Sequence, residues 1–350
     1  ESGLMIGTST TMVSDRVRGS NGTTSDADFN SVSNVYRAVP GVVSEFDVHG
    51  IFNDAAASPT QNVRVRHNAY AWSTPGNRKY VIVEYFIKNT GASALNNLYA
   101  GIASDWDIPG PSNGTTDYAM NKADYDAARK MGYAWFSGTN GKYAGIKVLT
   151  PEAANHYGID NVAGGNGGID INDAGNYYST ADKYTALSTP RLQAGMADAD
   201  GEDVLNVVST GPYVINAGDS IKVAFALICG DDLGDIQESA DSAQVHYDQI
   251  DPMVGLKNNN AQTIAVNVFP NPASNSVTFQ TVNAETSKMN IVVTNMMGQV
   301  IKTVEYTSTV GAGKFVMDLS DVAEGAYMYK IYNDKGKQTI GKFIVTKSNK

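Results

Sequence analysis

The chain has 350 residues, 42% hydrophobic and 18% charged, and its 26 Lys+Arg against 36 Asp+Glu give a net charge of −10. That length accommodates two domains, and the composition is that of a folded protein instead of a disordered tail. The acidic balance argues against a nucleic-acid or anionic-membrane partner, both of which need clustered positive charge. No apolar run approaches the ~20 residues of a membrane-spanning helix. The single cysteine, Cys229, excludes an internal disulfide. It ends the apolar run Val223–Cys229, which predicts an inert buried thiol. No signal-peptide pattern opens the chain, and Glu1-Ser-Gly-Leu-Met-Ile-Gly7 reads as mid-element sequence, as in a mature or excised fragment.

Short apolar runs separated by Gly, Asn and Asp predict a large β-sandwich with one or two helices. Lys79–Lys88 is a clear strand: Val81, Val83, Tyr85 and Ile87 alternate with Ile82, Glu84, Phe86 and Lys88. One face is therefore apolar and the other mixed, as where a sheet packs on a second layer. Leu98–Ala103 is a further strand, and Gly132–Phe136 with Tyr143–Leu149 form a hairpin turned at Gly138-Thr-Asn-Gly141. Asn121–Lys130 is a short helix candidate. Leu233–Ile250 is the stronger one, capped by Asp232 or Asp235, with Ile236, Ala240, Ala243, Tyr247 and Ile250 on one stripe. Asp251–Gln262, with Pro252 and three consecutive asparagines, reads as a linker, which places the boundary at 251–263.

The chemistry of the first 250 residues rests on carboxylates. Gly7-Thr-Ser9 resembles the segment around a subtilisin-type nucleophile. Those enzymes place Asp and His before the Ser, whereas all four histidines here (His49, His67, His156, His246) follow it, so a backbone turn is the better reading. No histidine pair has metal spacing, and Gly164–Gly168 is a flexible loop, with no strand-to-helix context. Asp105-Trp-Asp107 ends a strand, with Asn113, Asp117, Asp124 and Asp126 following; Asp170–Asp173 and Asp198–Asp203 are further acidic clusters. Such loops are solvated turns or converge oxygens on calcium, which takes six to eight. Asp105, Asp107 and Asp117 are the candidate metal ligands. A glycosidase pair drawn from the same acids needs a carboxyl separation that sequence does not give. Trp72, Trp106 and Trp135 either pack in the core or stack on sugar rings.

From Ile264 the alternation tightens into about seven strands: Val266–Phe269, Ser276–Val282, Met289–Thr294, Gln299–Val304, Lys314–Leu319, Ala326–Tyr332 and Gly341–Thr346. Their number and length fit a small immunoglobulin-like β-sandwich. Val268-Phe-Pro-Asn-Pro-Ala273, Met297-Gly-Gln-Val300, Asp318-Leu-Ser320 with Gly325-Ala-Tyr327, and Gly341–Lys347 together resemble the type A C-terminal sorting domain of the type IX secretion system. The resemblance implies that Pro270, Asn271, Pro272, Gly298, Asp318, Leu319, Gly325, Tyr327, Lys342, Phe343 and Lys347 form the sorting motif. It also implies partners: the secretion machinery, a sortase-like peptidase, and surface lipopolysaccharide when the passenger is not released. Prolines 270 and 272, Gly298, Gly325 and Tyr327 equally suit turns and core of any such sandwich.

Glu1–Ser9 with Val13-Ser-Asp15, Tyr80–Tyr85 with Asn89-Thr-Gly91, and Tyr99–Asp107 are similar to the β-rich region downstream of subtilisin-like peptidase domains in type IX secreted proteins. That likeness implies an upstream catalytic domain. Asp219-Ser220-Ile221 and Asp241-Ser242-Ala243 resemble the Asp-Ser/Thr-apolar O-glycosylation pattern of the Bacteroidota, which makes Ser220 and Ser242 candidate acceptors. The expectation is thus a non-catalytic accessory domain (1–250), a linker (251–263) and a sorting domain (264–350), secreted or on the outer surface of a Gram-negative Bacteroidota bacterium. The alternative is a self-sufficient surface adhesin, structural or glycan-binding protein. Calcium is the candidate cofactor.

Overall fold

The computed structural model describes residues 1–22, 24–111, 114, 116–250, 264–282, 287–295, 300–308, 313–333 and 337–347. The 251–263 linker segment lies outside them. The chain is mainly β and divides into two compact units, Glu1–Val254 and Gly255–Lys350.

The first unit is a sandwich of two antiparallel sheets. Strands β1 (Ser2–Ser9), β2 (Met12–Asp15), β3 (Asn30–Ala38), β4 (Phe46–Asn53), β5 (Val63–Ala71), β6 (Tyr80–Asn89) and β7 (Leu95–Asp105) come first. Strands β8 (Asn121–Asp126), β9 (Met131–Phe136), β10 (Tyr143–Val148) and β11 (Ala154–Asp160) precede helix α1 (Thr180–Ser188); β12 (Val204–Ile215), β13 (Ser220–Gly230) and helix α2 (Leu233–Ile250) follow it. One sheet runs β11-β12-β7-β1-β2 and the other β3-β4-β5-β6-β13-β10-β9-β8. Their facing sides share one core, in which Ile6, Leu98 and Val208 meet Val83, Ile87 and Phe225.

Each sheet carries a helix on its outer face. The α2 residues Ile236, Ala240, Ala243 and Tyr247 pack on Ile82, Ala224 and Ala226 of the eight-stranded sheet, and the Asp235 amide donates to the capping carboxylate of Asp232 at 2.9 Å. Helix α1 opens with a capping box, Ser179 accepting from the Asp182 amide while Asp182 accepts from the Ser179 amide. It lies close on the five-stranded sheet because glycines sit beneath it. A Cβ on Gly101 would stand 2.8 Å from Leu187 Cδ2, and one on Gly7 3.0 Å from Leu187 Cδ1. Gly7 therefore belongs to the packing of strand β1 and not to a turn.

Two further expectations fail. Asn121–Lys130 is no helix: Asn121–Asp126 is β8, whose Ala123 pairs with Ala134 of β9 and bridges to Ala194, while Asn121 bridges to Glu202. Backbone pairing on both sides outweighs the local helical preference of its Ala, Lys and Arg residues. Cys229 is exposed: it shares the inner face of β13 with Val223, Phe225 and Leu227 but lies beyond the last of them that packs in the inter-sheet core.

In the second unit, β14 (Ala265–Phe269), β15 (Ser276–Val282) and β18 (Lys314–Asp318) form a three-stranded sheet. Strands β16 (Ser287–Asn295), β17 (Val300–Ser308), β19 (Gly325–Asn333) and β20 (Gln338–Val345) form a four-stranded one in the order β17-β16-β19-β20. Phe279, Ile291, Val293, Ile331 and Phe343 fill the space between.

Helix α1 also anchors the first unit electrostatically. Its Lys183, 1% exposed, reaches Asp15 Oδ1 and Asp26 Oδ2, each at 2.7 Å. Burial pushes Asp15 up to about 6 even with this partner. Removing one member of a buried pair strands the other charge, so Lys183→Met is expected to cost about 3–5 kcal/mol. Its urea midpoint should fall, and adding Asp15→Asn should restore part of the loss. An unchanged midpoint for Lys183→Met would contradict the pairing.

Candidate functional site

The chemistry of the first unit concentrates at one end of the five-stranded sheet. Strand β7 ends at Asp105, and β12 begins immediately after Asp203; Leu205 pairs with Asp105, so the two acids arrive together. Asp107 follows in a left-handed turn with φ 45°. Oxygens of Asp105, Asp107 and Asp203 all lie within 4.8 Å of one another. They line an open cleft of about 770 Å³ that Arg18, Asp117, Asn161 and Asn172 also border.

Arg18 meets only one side of this group, its Nη2 lying 2.7 Å from Asp105 Oδ2. Asp105 Oδ1 is buried with no hydrogen-bond partner among the described residues. Asn161 Nδ2 donates to Asp203 Oδ2 at 2.5 Å. Burial, then the charges of Asp105 and Asp107, push Asp203 up to about 7. Burial and Asp107 raise Asp105 as well, against the pull of Arg18. Three carboxylates crowded this closely form a set that an oxygen-seeking divalent cation would relieve. The acids Asp15, Asp26 and Asp28 also lie within 4.8 Å of one another, but there the Lys183 ammonium already supplies a cation.

Of the sequence-level ligands, Asp105 and Asp107 are brought together. Asp117 borders the cleft but spends Oδ2 on the Gly110 and Gly114 amides at 2.8 and 2.7 Å. Asp203 takes the third place, and neither its role nor that of Arg18 was visible in the local spacing. The rest of the acidic run is turn chemistry, Asp198 accepting from the Asp200 amide at 2.9 Å; Asp170 does the same for the Gly164 and Asn172 amides. Asn113 lies outside the described residues.

The tryptophans have protein neighbours. Trp72 packs on His246 with ring centroids 4.6 Å apart, and Trp106 joins two core groups. Trp135 stacks on Tyr143 at 6.0 Å and 7° and lies 5.6 Å from Tyr133, an aromatic row on β9 and β10. Ser220 is exposed at the start of β13, whereas Ser242 is half-buried within α2. His156 is fully buried against Tyr125, and burial lowers it to about 4.

In the second unit the motif residues gather where β20 ends. Ile344 donates its amide to Asn271 Oδ1 at 2.9 Å, and Thr346 donates to the Ala273 carbonyl at 2.8 Å. Lys347 Nζ donates to the Leu319 carbonyl at 2.7 Å and to Ser274 at 3.2 Å. Asp318 accepts from the Ser320 amide at 2.9 Å, and Tyr327 donates its hydroxyl to Ala323 at 2.9 Å. Leu319, Tyr327 and Phe343 are core residues. Pro270, Asn271, Pro272, Asp318, Gly325 and Lys342 are exposed. The φ of Gly325 is 152°, open to glycine and rare for other residues. Gly298 lies outside the described residues.

Residues 267–346 match the secretion system C-terminal sorting domain family. The chain therefore carries a type IX sorting domain and is directed for export, to the cell surface or beyond it. No curated protein matches the chain. Among solved structures, a polysaccharide lyase is similar at 10% identity and a TM-score of 0.29, over 81% of this chain and 34% of that one. A putative aldose 1-epimerase from Escherichia coli K12 is similar at 9% and 0.30, over 58% and 68%. Dimeric latent PorU from Porphyromonas gingivalis is similar at 10% and 0.22, over 99% and 30%. The chain thus spans about a third of the lyase and of PorU, and likenesses this slight carry no conclusion about activity. Among the described residues no helix is long and apolar enough to cross a membrane.

The acidic centre makes a thermal prediction. An acid whose folded pKa, about 7 for Asp203, exceeds its unfolded value of about 3.9 favours folding while protonated. That stability is complete below the unfolded pKa and lost as pH rises through the folded one. In chelator, the melting temperature should fall between about pH 5 and about pH 8, and calcium at the upper pH should raise it by mass action. Asp203→Asn should flatten the upper part of the fall and abolish the calcium gain. A wild-type melting temperature indifferent to calcium would remove the cation reading.

Proposed function

We propose that the chain is the C-terminal portion of an exported surface or secreted protein, in which the first unit is a non-catalytic accessory to an upstream hydrolase of the subtilisin-like peptidase type. The observation that carries the export half is the sorting-domain match at 267–346. The exposed turn of Pro270, Asn271 and Pro272, held to the end of β20 by Asn271 and Lys347, suits recognition by the secretion machinery. Cleavage by a sortase-like peptidase then falls in the 251–263 segment, with transfer to lipopolysaccharide or release. The accessory half is supported by the placement of the segments that resemble the region downstream of such peptidases. They fall on β1, β2 and β7, adjacent in one sheet, and on β6 of the facing one. Calcium bound by Asp105, Asp107 and Asp203 would brace the end of that sheet, and Ser220, exposed at a strand start, is the better placed of the two glycan acceptors.

A second reading, a self-sufficient glycan-binding surface protein, is favoured by the aromatic row of Tyr133, Trp135 and Tyr143.

Residues 251–350 fused to a reporter sent to the periplasm should bring it to the surface or medium of a Bacteroidota host, and leave it periplasmic in a strain lacking the type IX system. Lys347→Ala, which removes donors to the Leu319 and Ser274 carbonyls, should lower export severalfold. Equal export from both strains would contradict the assignment.

A further inference from the structure

The outer face of the eight-stranded sheet is covered by α2 only in part, and beyond the helix it opens into a cleft of about 370 Å³. That volume lies in the small-ligand class of about 300–1,000 Å³. A single row of residues crosses its floor in register over four adjacent strands. Tyr36 of β3 lies opposite His49 of β4, His49 opposite Asn68 of β5, and Asn68 opposite Glu84 of β6.

The row is hydrogen-bonded along its length. The His49 Nδ1 lies 2.9 Å from Asn68 Oδ1, which makes Nδ1 the donor and leaves Nε2 as the ring's acceptor. Asn68 Nδ2 donates to Glu84 Oε2 at 3.2 Å, and the Tyr70 hydroxyl donates to the same oxygen at 2.9 Å. Glu84 is 3% exposed and Asn68 8%. A carboxylate set this deep on a sheet face costs stability unless it is paired, and the Lys222 ammonium stands 3.7 Å from Glu84 Oε1. The side chains are thus fixed before any ligand arrives, the condition for a preorganised site.

Two features of the rim give the ligand its chemistry. Tyr36 is 60% exposed, its ring over His49 at 5.3 Å, and it offers a free aromatic face. Arg66, also exposed, holds its guanidinium 3.9 Å over the Phe86 ring. Among the described residues no carboxylate lies within ion-pair distance of it. A stacked guanidinium keeps its edges free for two parallel hydrogen bonds to a carboxylate.

We infer that this cleft binds an acidic saccharide, with a uronate carboxylate on the edge of Arg66, a ring face on Tyr36 and hydroxyls on the His49–Asn68–Glu84 row. An alternation of fixed acceptors and donors beside an aromatic plate suits a polyhydroxylated ring, which presents polar edges and an apolar C–H face. The inference rests on the glycan-binding reading of the first unit, but places the site on β3–β6, where none of the tryptophans singled out in the sequence lines the cleft.

Calorimetric titration of the full 350-residue chain with tetragalacturonate and with maltotetraose tests it. Tetragalacturonate should bind, and maltotetraose at least about tenfold more weakly, the value of one charge-assisted pair. Arg66→Gln should lose about the same factor for the acidic sugar only, and Tyr36→Ala should weaken both. Both residues are exposed, and matched melting curves establish that the variants fold. Tetragalacturonate binding that neither substitution alters would overturn the cleft while leaving glycan binding elsewhere on the unit intact. Equal affinity for the two sugars would overturn the uronate assignment. Binding of neither at millimolar concentration would overturn the cleft and the glycan-binding reading together.

Discussion

Strand β6 is buried from both sides, and the architecture of the first unit depends on how its two faces differ. Val83, Tyr85 and Ile87 point into the core shared with the five-stranded sheet, so that face must be apolar along its length. The opposite face changes character midway: Ile82 lies under α2, while Glu84 and Phe86 line the open cleft. One period-two pattern therefore specifies the sandwich, the seat of the helix and a polar floor beside it. Burial of the apolar side supplies the driving force, at roughly 25 cal/mol per Å², and the polar floor is tolerated because its members are hydrogen-bonded to one another.

The ends of the five-stranded sheet follow a different logic. Antiparallel pairing of β7 with β12 delivers Asp105 and Asp203 to the same place, and pairing of β1 with β2 delivers Asp15 to the region of α1. In one case the chain answers the accumulated charge with its own lysine. In the other Arg18 meets one carboxylate oxygen and three acids remain crowded. The contrast separates a structural ion pair from a candidate cation site, although both are written in the sequence as scattered aspartates.

Much of the fold was legible because it is encoded locally. The alternation in Lys79–Lys88, the stripe of Ile236, Ala240, Ala243 and Tyr247, the hairpin at Gly138–Gly141 and the strands after Ile264 all appear where periodicity puts them. What was not legible depends on pairing between distant segments. The stretch Asn121–Asp126 has helical composition but is held as a strand by β9 and by bridges to Ala194 and Glu202. Helix α1 is only nine residues long, too short for its stripe to stand out, although its Ser179–Asp182 capping box was readable. Asp203 could not be grouped with Asp105 from spacing alone, since about a hundred residues of chain separate them. The sorting domain was the reverse case: four short segments in fixed order identify it, and the fold brings three of them to one end of the sandwich.

The central claim is that a folded first unit is carried out of the cell by a second one that serves export. The most direct test is the intact mass and peptide map of the native protein recovered from cell surface and medium. The account predicts a mature chain that ends within 251–263, free or joined to lipopolysaccharide, with residues 264–350 absent. A protein held in the periplasm of a secretion-competent cell with those residues still attached would contradict it.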